Sequence, residues 1–69
     1  MHLVGMKRKL IILKELLDEK YEKIPEEYRE DAIDVYENLS MKYKFLGIPE
    51  IENKDINMIE AFIIKLREL

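Results

Sequence analysis

Residues 6–32 read MKRKLIILKELLDEKYEKIPEEYREDA, and this stretch decides the fold. Met6, Leu10, Leu13, Leu17, Tyr21 and Ile24 recur every three or four residues, with Leu3 ahead of them at the same spacing. That is the apolar seam of an amphipathic helix, close to a heptad repeat. Gly5 weakens the first turn and moves the expected firm start of the helix to about Met6. The break falls at Ile24-Pro25: a residue before proline avoids the helical region, and proline suits the first position of a new helix. Glu26 and Glu27 follow in the first turn, where the helix dipole favours negative charge.

Beyond the break, Tyr28, Ala32, Val35, Leu39, Tyr43 and Leu46 form a second seam. Gly47 is placed to end this helix in a left-handed conformation, and Pro49 stops its continuation. Asn53 or Asp55 can cap a third helix whose seam is Ile56, Ile59, Ile63 and Leu66, with Phe62 beside it. No stretch alternates apolar and polar residues as a half-buried strand does. The expectation is an all-α domain spanning residues 1–69: an antiparallel three-helix bundle with helices at about 3–23, 25–46 and 54–68.

Composition narrows the chemistry. The 69 residues include no Cys, Trp, Thr or Gln, one His (His2) and one Ser (Ser40). Ser40 has no base pattern near it, and His2 sits in a terminus expected to fray, so no nucleophile-plus-base arrangement can be named. Carboxylate metal sites in helical bundles add Glu-x-x-His pairs from two helices, which this chain lacks. The expectation is a protein that is not an enzyme, with no cofactor, no metal site and no evident small-molecule substrate. The longest unbroken apolar run, Leu10–Leu13, falls far short of the roughly 20 residues that cross a bilayer, so no membrane partner is expected. The first residues carry no cleavable signal pattern, and the lack of Cys fits a reducing compartment; the cytoplasm is the expected location. Enrichment in Ile, Lys and Glu resembles a heat-adapted composition, although an AT-rich genome would enrich Ile, Lys and Asn in a similar way.

The apolar content, 48% of the chain, exceeds what three core stripes need. Val4, Ile11, Ile12 and Leu16 lie off the first seam, Ile33, Met41 and Phe45 off the second, and Met58, Ile64 and Leu69 off the third. A wide core stripe absorbs some of these. Ile11, Ile12, Leu16, Ile33 and Ile64 are the residues expected to form an interface, since apolar patches on a small surface mark association. A domain this short, with neither disulfide nor metal, also has little stability to spare. The expected partner is a second copy, most simply in a two-fold dimer, or another helical protein.

Charge is uneven along the chain. Residues 1–23 carry six basic and four acidic groups, residues 24–52 carry three and eight, and residues 53–69 balance, for a net charge of −3. Lys7, Arg8 and Lys9, with Lys14, form the one basic patch. They supply the alternative function, a nucleic-acid-associated accessory role, because phosphate contacts dominate such affinity. The acidic balance and the acidic entry to the third helix, Glu52 to Asn57, argue against it. Glu26, Glu27, Glu30, Asp31, Asp34 and Glu37 form an acidic ridge on the second helix. Its plainest reading is a solvated face; a basic partner surface is the sharper one. Four tyrosines (Tyr21, Tyr28, Tyr36, Tyr43) fall along the first hairpin, where rim packing, ring inside and hydroxyl outside, is expected.

Overall fold

The computed structural model describes residues 3–46 and 50–69. Helix α1 spans Leu3–Glu19, α2 spans Glu26–Ser40, and α3 spans Asn53–Arg67. A 3-10 turn, Tyr21–Lys23, follows α1, and a π-helical turn, Met41–Phe45, extends α2. No strand occurs among the described residues. His2, Gly47 and Pro49 lie outside them.

The helices alternate in direction, and two sets of polar contacts show it. Lys20, at the end of α1, donates to the carbonyls of Arg67 (3.1 Å) and Leu69 (3.0 Å) at the end of α3. Lys42 and Tyr43, at the end of α2, bond Asp55 at the start of α3. The result is an elongated bundle of 34 × 18 × 18 Å. The Lys20 ammonium also sits where the dipole of α3 is negative and its last carbonyls lack intrahelical donors.

The core follows the seams. Met6, Leu10, Leu13 and Leu17 from α1 meet Ala32, Leu39 and Tyr43 from the second helical segment and Ile59, Ile63 and Leu66 from α3. Ile24 closes one end. Ala32, the smallest of these, is fully buried, so a short side chain stands where the helices crowd. Tyr28 and Phe62 pack at a ring separation of 5.0 Å and join α2 to α3.

The boundaries differ from expectation at four places. Helix α1 already includes Gly5, a weak helix former held by its neighbours. Pro25 is the residue before α2 (φ −54°, ψ 139°) rather than its first member. Tyr21 leaves the seam and is 49% exposed, because α1 gives way to the tighter 3-10 turn after Glu19. Its ring instead carries the Arg29 guanidinium at 4.1 Å, while Arg29 donates to the Ile24 carbonyl at 3.1 Å. Leu46 is 66% exposed, because the π turn below it widens the helix.

Total stability for a domain of this length is about 3–10 kcal/mol at the usual figure per residue. Leu13→Ala should therefore cost about 2–5 kcal/mol and remove most cooperative melting. Circular dichroism against temperature reads this; an unchanged transition would show that the seam is not the core.

Candidate functional site

The end of α2 departs from regular helix. The Leu46 amide bonds the Met41 carbonyl at 2.9 Å, five residues back instead of four. A single widened turn of this kind shifts the register of all that follows and is frequent at functional sites. Here Tyr43 stays in the core and Leu46 leaves the seam, beside Met41 (56% exposed) and Phe45 (76%), which lie off the seam already.

A polar cluster, buried at Tyr43 and Asp55 and open to solvent at Glu52 and Lys54, clamps this turn. The Tyr43 hydroxyl donates to Asp55 at 2.5 Å, and the Lys42 ammonium donates to the same carboxylate at 2.9 Å. Lys42 also reaches Glu52 at 2.9 Å, and the Glu52 amide donates to the Tyr43 oxygen at 3.2 Å. Lys54 pairs with the other Glu52 oxygen at 3.2 Å. Burial alone would raise the Asp55 carboxyl, but the bonds from Lys42 and Tyr43 outweigh it and hold the group below the ordinary aspartate value. The same bonds, first from Asp55 and then from Glu52, push Lys42 upward. Glu52 is lowered, by Lys42 first and then Lys54. Asp55, expected as a helix cap, instead accepts across the interface; α3 starts after Glu52 with no side-chain cap. Tyr43, expected at the rim, is fully buried, hydroxyl included in the cluster. The sequence signal for this site is a lone acid at the start of a helix opposite a Lys-Tyr pair, which spacing alone cannot single out.

Beside the clamp lies a groove between α1 and α2. Lys14, Leu17, Asp18 and Tyr21 line one open-sided depression of about 220 Å³ with Ile33, Tyr36 and Glu37. Tyr36 and Glu37 continue into a second depression of about 410 Å³ with Ser40, Met41, Lys44 and Phe45. Both are mostly apolar surface with charged rims, and α3 contributes to neither. Ser40 is buried, and its Oγ finds no hydrogen-bond partner among the described residues.

The interface residues expected from sequence divide. Ile11 (52% exposed) and Ile64 (58%) face outward. Ile12, Leu16 and Ile33 are half-buried and pack on the core. Ile11 follows the α1 stripe that runs into the groove, and Ile33 lines the groove itself, whereas Ile64 lies on α3, away from it. Of the groove's apolar and aromatic residues, Leu17, Tyr21, Tyr36, Met41 and Phe45 fall outside the expected interface set, and Ile33 alone belongs to it. Spacing marks Met41 and Phe45 as surplus to the seam without showing what they adjoin, and the π turn that takes Leu46 off the seam leaves no trace in it.

Lys7 and Arg8 are exposed, Lys9 is half-buried, and Lys14 pairs with Asp18 at 2.8 Å. Among the described residues no group of three or more His, Cys, Asp or Glu side chains could hold a metal ion. No helix among them is long and apolar enough to cross a membrane. Set against family models, curated proteins and solved structures, the chain matches none.

The clamp sets a pH dependence. Asp55 and Glu52 are held below their ordinary values, so their contribution is present above about pH 4 and is lost as pH falls through the lowered values. Lys42 is held above its ordinary 10.5, so its contribution is present below that pH and fades as pH rises through the raised value. Tyr43→Phe removes one bond to a buried charge and should cost about 1.5–3 kcal/mol, or roughly 6–24 °C in Tm for a domain this small. Asp55→Ala should also flatten the acid limb of the stability profile. Melting curves from about pH 2 to 7 test both; an acid limb unchanged by Asp55→Ala would assign it to other carboxylates.

Proposed function

We propose that this chain is a non-enzymatic helical association module that docks through the α1–α2 groove, with a second copy as its first partner. One observation carries the reading: two adjoining depressions share Tyr36 and Glu37, the first lined also by Leu17, Tyr21 and Ile33 and the second by Met41 and Phe45, while the exposed Ile11 stands on α1 in line with Lys14 and Asp18. Isolated exposed apolar side chains are ordinary, but a connected set rimmed by charge is the pattern of a contact surface. The small core supports the same view, since a chain without disulfides gains stability by covering such a face. Ser40 Oγ, the groove's one hydroxyl nucleophile besides tyrosine, is hydrogen-bonded to no base, and among the described residues no group of three or more His, Cys, Asp or Glu side chains could hold a metal ion. Its depressions are shallow and open, unlike the enclosed clefts that hold small molecules.

A second reading keeps some support from the exposed Lys7 and Arg8, which form no ion pair among the described residues. Nucleic acid would contact them through phosphate, against a net charge of −3. Fluorescence anisotropy with a labelled oligonucleotide at about 50 mM salt should show no binding. Binding that Lys7→Glu abolishes would favour this reading instead.

Light scattering at micromolar concentration should give twice the monomer mass. Ile11→Glu, at a site half open to solvent, should return the chain to monomer while leaving its helicity and melting temperature near those of the parent monomer. A wild-type chain that is monomeric at every accessible concentration would overturn self-association.

A further inference from the structure

Charge along α1 and α2 is segregated by end. Lys7, Arg8 and Lys9 occupy the first half of α1, and Glu15, Asp18 and Glu19 follow in the second half with Lys14. On α2, Glu26, Glu27, Glu30, Asp31, Asp34 and Glu37, with the single base Arg29 among them, precede Lys44, while Lys42 turns away to Asp55 and Glu52 at α3. The helices are antiparallel, so both basic ends lie at one end of the groove and both acidic ends at the other. For α1 this order runs against its own dipole, which favours acids first and bases last, so local helix stability does not account for it.

Resting on the association just proposed, we infer that two copies meet groove to groove about a two-fold axis that crosses the helices, so that α1 runs antiparallel to the partner's α1 and α2 to the partner's α2. Only this face-to-face arrangement brings each basic end over an acidic one. The other closed choice, an axis along the helices, sets like ends at the same level.

The register follows from the stripe. Lys7, Ile11, Lys14 and Asp18 are all exposed and spaced four, three and four residues apart, so they share one side of α1. Laid antiparallel on itself, the stripe pairs Lys7 with the partner's Asp18, a carboxylate that Lys14 of its own chain also bonds, and sets Ile11 near the axis against the stem of the partner's Lys14. Lys14, Leu17 and Asp18 share a depression with Ile33, Tyr36 and Glu37, which fixes the level of α2 against α1. At that level Met41 and Phe45 fall over the partner's Tyr36 and Ile33, apolar on apolar, and Lys44 over the partner's acidic stretch, Glu30 to Asp34. The acidic ridge thus acquires a basic counterpart from the same sequence.

The chain has no cysteine, which makes the test clean. Three variants, Ile11→Cys, Lys7→Cys and Asp18→Cys, are oxidised separately and in mixture after light scattering has shown each to remain dimeric. Ile11→Cys should cross-link to itself. Lys7→Cys alone should not, whereas Lys7→Cys mixed with Asp18→Cys should give the mixed disulfide. Efficient self-linking of Lys7→Cys would establish a parallel pairing and overturn the proposal. A dimer with no cross-link in any combination would place the contact on another face and overturn it as well. As a second readout, Lys7→Glu should weaken the dimer and Lys7→Glu with Asp18→Lys should restore it; failure of the double swap to restore counts against the antiparallel register. A wild-type monomer would remove the association itself, an outcome distinct from each of these.

Discussion

One buried carboxylate governs the shape of this protein. Asp55 sits between the Tyr43 hydroxyl and the Lys42 ammonium, and the three groups hold the end of α2 against the start of α3. An unpaired buried charge would be costly; with both partners in place the same charge becomes a fixed point. The fixed point matters because the last turn of α2 is a π turn, a form with no regular repeat to sustain it. Losing either partner leaves the carboxylate under-satisfied and the widened turn without its anchor.

From that turn the outer surface follows. Five-residue spacing between Met41 and Leu46 takes Leu46 off the seam that Leu39 and Tyr43 keep, and sets it outside with Met41 and Phe45, which are off that seam in any case. Regular helix through this segment would have put Leu46 on the seam with Leu39 and Tyr43. The exposed residues then extend the α1–α2 groove beyond Tyr36 and Ser40 and give it an apolar end. At the opposite end, Tyr21, Arg29 and Ile24 perform a similar service for the α1–α2 connection, with a cation over a ring and a bond to a carbonyl.

Much of the architecture is legible in residue spacing. Met6, Leu10, Leu13 and Leu17 declare α1, Ile24-Pro25 declares the first break, and Ile59, Ile63 and Leu66 declare α3, because burial of a repeating apolar stripe dominates the energetics. Those signals are local. The clamp is not: Tyr43 and Asp55 are twelve residues apart and meet only after α3 has folded back. A buried tyrosine also reads like a rim tyrosine until its hydroxyl partner is known. Exposed apolar residues are legible as a surplus but not as a face. Ile11, Ile12 and Ile64 look equivalent in the sequence, yet Ile12 packs on the core, Ile64 stands on the far helix, and Ile11 alone joins the groove stripe.

Association through the α1–α2 groove, the reading we propose, has a signature that can be read residue by residue. Methyl NMR of isoleucine-labelled protein across a dilution series addresses it. The Ile11 and Ile33 methyls should shift with concentration while the Ile64 methyl stays fixed. Movement of Ile64 with Ile11 and Ile33 unmoved would contradict the account.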